Sequence, residues 1–111
     1  MLNLLILFIM KSIHLDDDLE IDKIFEIYRQ QIYESILNSI KENYLNEENK
    51  EINVVTISTL SKDYRINLTR DKFISSLNKC ISFFERMEYY ELCQECLDII
   101  NDINSKKNQL V

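Results

Sequence analysis

The 111-residue chain contains no glycine, no proline, no alanine and no tryptophan. Without glycine, no phosphate-cradling loop of the Walker or dinucleotide type can form, because those loops need backbone free of Cβ beside the phosphate. Tight hairpin turns lose their usual residue, so turns must be built from Asn, Asp, Ser or Lys. The calcium-loop pattern is excluded as well, since its sharp turn needs glycine between alternating oxygen ligands. Positive charge is also scarce: 13 Lys and Arg against 19 Asp and Glu leave a net charge of −6. That balance disfavours non-specific attraction to nucleic acid or to an anionic membrane. The three cysteines are an odd number at uneven spacing, which does not make a disulfide framework. A reducing compartment, and hence a cytoplasmic protein, is the expectation.

In place of the missing residues stand 17 Ile, 11 Asn and 9 Lys. Their codons are AT-rich, which points to an AT-biased genome. A hydrophobic fraction of 46% is ordinary for a folded protein. The length suits one domain with a modest core. Residues 1–10, MLNLLILFIM, form an apolar extension. It falls short of the roughly 20 residues that a membrane-spanning helix needs. It also lacks the basic start and small-residue cleavage site of a signal peptide. Three readings stand: translation from Met10, docking as an extra strand or helix, or contact with a membrane. Residues 11–105 are then the expected domain, and 106–111 a polar, frayed tail.

Asp16, Asp17, Asp18 and Glu20 precede a periodic stretch, with Asp17 and Glu20 at capping-box spacing. Ile21, Ile24, Phe25, Tyr28, Ile32, Ile36 and Ile40 then recur at three- and four-residue steps, predicting one helix from Leu19 to Tyr44. From Ile52 to Leu68 the period becomes two. Val55 and Ile57 are expected on one side and Val54 and Thr56 on the other, while Tyr64, Ile66 and Leu68 alternate with Arg65 and Asn67. This predicts a β-hairpin with its turn at Leu60–Asp63. Thr69 is the expected N-cap of a second helix, with Leu68 and Phe73 at hydrophobic-staple spacing. That helix carries Phe73, Leu77, Cys80, Ile81, Phe84 and Met87 on one face. After a break at Glu88 and Tyr89, a third carries Leu92, Cys93, Cys96, Ile99, Ile100 and Ile103. The fold class expected is α+β, three helices and one β-hairpin in the order α-β-β-α-α, the last two helices an antiparallel hairpin.

Chemistry is sparse. Cys93 and Cys96 form a C-x-x-C, but only Cys80 and His14 remain as further ligands and neither has ligand spacing. The pair lies on an apolar face, where cysteine acts as a small hydrophobe. His14 belongs to no recognisable nucleophile–base pair. No convergent acid–base set or cofactor loop is present, so neither an enzyme nor a bound cofactor is expected. Two surfaces carry functional potential. Tyr89 and Tyr90, with Glu88, Glu91 and Glu95, form an acidic, aromatic helical surface of the kind that anchors protein partners. The stretch from Lys62 to Lys79 holds Lys62, Arg65, Arg70, Lys72 and Lys79 against Asp63 and Asp71, and with Tyr64 and Phe73 it is the alternative, nucleic-acid-binding surface.

Residues 84–100, FERMEYYELCQECLDII, resemble the UVR motif of the nucleotide-excision and Clp-adaptor families. Tyr90 and Glu91 match the aromatic–Glu pair that opens the second helix. Cys93 matches a small position, and Asp98 and Ile100 the closing acid and aliphatic. Gln94 and Leu97 depart from the pattern. The resemblance implies a protein-docking helical hairpin. The rest of the chain is similar in general character to small bacteriophage proteins. The expected function is therefore a non-catalytic interaction module: an adaptor, inhibitor or regulator, of phage or mobile-element origin. It would act through the acidic tyrosine surface or the hairpin edge, with nucleic-acid mimicry by the acidic helices as one mode. A structural part of a homo-oligomer or virion is the further alternative.

Overall fold

A computed structural model describes residues 12–109. Their order is β1 (Ser12–His14), α1 (Ile21–Ile27), α2 (Arg29–Asn43), β2 (Glu51–Ser58), β3 (Asp63–Thr69), a 3-10 turn (Arg70–Lys72), α3 (Phe73–Arg86) and α4 (Tyr90–Gln109). The class is α+β, with four helices and a three-stranded sheet where three helices and a hairpin were expected. The apolar extension 1–10 lies outside the described residues.

The expected helix from Leu19 to Tyr44 is two helices that break at Tyr28, whose φ of −105° and ψ of 27° leave the helical region. The bend lets one amphipathic stripe follow a curved core. Ile24 and Ile32 pack with Val54, Val55 and Ile57 under the sheet, while Leu37 and Ile40 pack with the C-terminal helices. The Asp17–Glu20 capping box does not form. Glu20 is itself the N-cap residue and makes no side-chain cap bond. Asp18 instead accepts the Ser61 backbone N–H at 2.9 Å, tying the approach to α1 onto the hairpin turn. That bond holds the Asp18 carboxyl below its usual range.

The hairpin is present, in the order β1-β2-β3, with β1 added in parallel along β2. Three residues are too few to display a period, so this pairing of Ser12–His14 with Thr56–Ser58 leaves no local signature. A register shift between Asn53 and Val55 inserts an extra residue. The expectation that Val54 and Val55 face opposite sides is thereby corrected, because at the bulge both are buried. The Val54 carbonyl accepts the hydroxyl of buried Ser39 on α2 at 3.4 Å, which places a polar partner where the ladder is interrupted. The pairs Ile52–Leu68, Val55–Ile66 and Ile57–Tyr64 build the apolar face toward the helices. The pairs Asn53–Asn67, Thr56–Arg65 and Ser58–Asp63 build a polar outer face.

Thr69 caps the 3-10 turn, not α3, and makes no side-chain cap bond. Leu68 and Phe73 pack in the same cluster, as their spacing suggests. The stripes of α3 and α4 face each other. Cys93 Sγ donates to the Ile81 carbonyl at 3.7 Å, and Cys96 contacts Cys80, so position runs backward along one helix as it runs forward along the other. This is an antiparallel hairpin. Phe83 stacks on Tyr33 of α2 at 4.8 Å between ring centroids and meets Phe84 edge-on, joining the hairpin to α2. Residues 106–109 are helical, where a frayed tail was expected. Ile103 packs on the core and Lys106 lies over the Tyr44 ring, so tertiary contacts carry α4 onward.

Candidate functional site

The turn between α3 and α4 is built without glycine. Glu88 takes the left-handed conformation, with φ of 62°. Its N–H donates to the Glu85 carbonyl at 3.0 Å, and the Tyr89 N–H donates to the Phe84 carbonyl at 2.8 Å. These are the two bonds of a Schellman motif, and the Phe84–Tyr89 ring contact at 6.5 Å is its hydrophobic partner. A non-glycine residue here costs about 1–2 kcal/mol. The motif aims two adjacent tyrosines apart. Tyr89 is half-buried against the core, whereas Tyr90 opens α4 with 64% of its surface exposed.

The acidic tyrosine surface is accordingly divided. Tyr90, Glu88 and Glu91 face solvent, and Met87 at 43% exposure and Leu97 at 42% add apolar area beside them. Tyr90 and Leu97 stand seven residues apart, on one side of α4. Glu95 points the other way and pairs with Lys41 of α2 at 2.6 Å. Met87 was expected on the buried stripe of α3 but stands one residue past its end and is exposed, whereas Leu97 lies outside the expected stripe of α4. A Met at a helix end and a Leu off the apolar face of α4 are the sequence signals for them.

The five cations of the Lys62–Lys79 stretch do not form one stripe. Lys62 sits in the hairpin turn, where its N–H and carbonyl bond Thr59. Arg65 stands on the outer sheet face opposite Thr56. Lys72 is exposed at the start of α3. Lys79 faces a groove between α1, α2 and α3 that Phe25, Arg29, Tyr33 and Arg86 also line. Arg70 turns inward. Its guanidinium donates to the carbonyls of Tyr44 at 2.9 Å, Asn49 at 3.0 Å, Asn43 at 3.1 Å and Asn46, and it lies 5.1 Å from the Phe73 ring centroid. It closes the C-terminal end of α2 and the loop behind it.

Around Arg70 opens a cleft of about 760 Å³ between the α2–β2 loop, the start of α3 and the last turns of α4. Tyr44, Ile74 and Ile103 supply an apolar floor; Lys50, Lys106 and Lys107 join Arg70 as cations, against Glu47 and Asp71. The Tyr44 hydroxyl donates to Asp102 Oδ2 at 2.7 Å, and this bond to a carboxylate pushes the phenol above its ordinary value. The Lys106 ammonium lies 6.0 Å from the Tyr44 ring centroid. Sequence reasoning missed this cleft because it assigned Lys106 and Lys107 to a loose tail.

Cys80, Cys93 and Cys96 are free and buried. Cys96 contacts Cys80 on the facing helix, and Cys93 turns to the Ile81 carbonyl. His14 ends β1, exposed. Among the described residues, no group of three or more His, Cys, Asp or Glu side chains could hold a metal ion. No helix among them is long and apolar enough to cross a membrane. No protein-family model, curated protein or solved structure matches the chain.

Proposed function

We propose that this protein is a non-catalytic protein-interaction module, a small acidic adaptor, inhibitor or regulator that docks through the α3–α4 hairpin. The observation that carries the proposal is the exposure of three large side chains on this hairpin: Met87 at the end of α3, Tyr90 at the start of α4 and Leu97 two turns further along it. Tyrosine is among the usual anchors of protein interfaces, and methionine is enriched there. Glu88 and Glu91 would form a charged rim that selects a basic partner surface and speeds encounter. The Schellman turn supports the reading, because a preorganised surface loses little entropy on binding. The resemblance of residues 84–100 to a docking hairpin points the same way. A nucleic-acid surface at Lys62–Lys79 has less support, since Arg70 turns into the cleft behind α2 and the other four cations stand on separate elements.

Photo-crosslinking in extract of the source cells tests the proposal, with the photoreactive residue at position 90 and, as control, at position 62. A discrete protein adduct from position 90, absent from position 62 and lost when Leu97→Asp is added, is the expected result. Equal adducts from both positions, or none from position 90, would overturn it.

A further inference from the structure

We infer that the cleft around Arg70 binds a small anionic amphiphile, an apolar body carrying one carboxylate or phosphate head. The volume of about 760 Å³ lies in the range of small-molecule sites. The lining has the two parts such a ligand needs. Tyr44, Ile74 and Ile103 are half-buried and present apolar surface inside the cleft. Lys50, Lys106 and Lys107 stand around it, so that four cations with Arg70 face two carboxylates, Glu47 and Asp71. This excess of positive charge occurs in a chain whose net charge is −6.

The cleft cations keep their charge available. The ion pairs Lys23–Glu26 and Lys41–Glu95 lie outside the cleft. Arg70 spends its donors on neutral carbonyls, which satisfy its hydrogen bonds without cancelling its charge. A half-buried guanidinium held in this way projects a positive potential into the cleft, strengthened by its partial removal from water. Asp102, which accepts the Tyr44 hydroxyl at 2.7 Å, is outside the lining and keeps its negative charge, so the cation excess is that of the lining residues alone. The apolar floor excludes a bare inorganic anion as the best ligand, and the cations exclude a neutral lipid. The cleft and the Tyr90 surface share no lining residue, so this inference stands apart from the proposed docking role.

Titration of the full chain with dodecanoate, dodecyl phosphate and dodecanol, below their aggregation concentrations and followed by amide chemical shifts, tests the inference. Saturable shifts should centre on Tyr44, Arg70, Ile74, Ile103 and Lys106. Dodecanol should bind more weakly than either acid, and the stronger acid identifies the head group. Reversing two charges in Lys106→Glu/Lys107→Glu should weaken acid binding by about tenfold at low salt, with a smaller difference at high salt. Lys79→Glu, in the other groove, should leave binding unchanged. Absence of saturable binding overturns the inference. So do shifts centred on Phe25 and Tyr33, equal binding of dodecanol, or equal weakening by Lys79→Glu.

Discussion

Arg70 donates from Nη1 to the carbonyl of Tyr44 at 2.9 Å, and in doing so a residue just after β3 seals the end of a helix 26 positions earlier. The last carbonyls of a helix have no partners within it, and a cation there also complements the helix dipole. In most chains a glycine-based cap does this work. Here Asn43, Tyr44, Asn46 and Asn49 form the glycine-free exit from α2, and one guanidinium gathers all four carbonyls.

Replacing Arg70 should therefore cost more than a surface arginine does. Arg70→Met leaves four carbonyls without their charged donor and is expected to destabilise by about 2–3 kcal/mol in denaturant unfolding. Arg70→Lys should recover less than half, because one ammonium cannot span the fork geometry. A loss under ~0.5 kcal/mol for Arg70→Met would show that the cap contributes little.

The strain at Glu88 predicts a gain. Glu88→Gly relieves the left-handed backbone and should raise stability by about 0.5–1 kcal/mol, after allowing for the extra freedom of glycine in the unfolded chain. Glu88→Ala keeps the strain and should stay within ~0.5 kcal/mol of the parent. Thermal melts of the three proteins decide it, and a glycine variant no more stable than the alanine variant contradicts the assignment.

Alkaline pH should weaken the fold. The Cys80 thiol is pushed well above its ordinary value of 9.0, first by its hydrogen bond with Cys96 and then by burial. In the native state it keeps its proton, whereas the unfolded chain releases it. Stability from this group is full below pH 9.0 and falls as pH rises beyond it, while the Cys96 thiol, lowered by the same bond, acts in the opposite direction and offsets part of the loss. The raised Tyr44 phenol acts in the same direction above 10.0. Unfolding free energies measured between about pH 9 and about pH 10 should fall less steeply for Cys80→Ala than for the parent. Parallel slopes would assign the loss to other groups.

A surface ion pair of α2 and a core side chain of α3 should differ sharply in weight. The Lys41–Glu95 pair is short but half-exposed, so Lys41→Met should change stability by under ~1 kcal/mol. Phe84 is fully buried between the helices, and Phe84→Ala should cost about 3–5 kcal/mol. Urea titration of both variants tests the ranking, and equal losses would mean that the surface pair weighs as much as a core ring.

Periodicity carried much of the architecture. The stripes Phe73–Leu77–Cys80–Phe84 and Cys93–Cys96–Ile100 repeat at helical spacing over about three and about two turns, and both are buried as that spacing demands. The alternation from Tyr64 to Leu68 likewise survives in β3. It failed where one residue broke the count. Val54 adds a step to β2 and buries two neighbours, which no period-two pattern can express. Tyr28 interrupts a stripe that stays continuous in sequence: the helix bends, Ile24, Ile32 and Ile40 stay on the core, and Phe25, expected with them, is exposed. Of the acidic tyrosine surface, Tyr90 and Glu91 were legible as exposed helix residues. The separation of Tyr89 from Tyr90 was not, since the left-handed Glu88 sets it.

Composition and spacing alone decided the element types, the absence of glycine loops and the thiols' place among core side chains, because each depends on neighbours within a turn or two of chain. Contacts across long stretches of sequence decided the rest: β1 beside β2, Arg70 under the end of α2, Lys106 over Tyr44 and Lys41 against Glu95. Such partners are chosen by what the packed layers bring near, and a linear pattern holds no record of that choice.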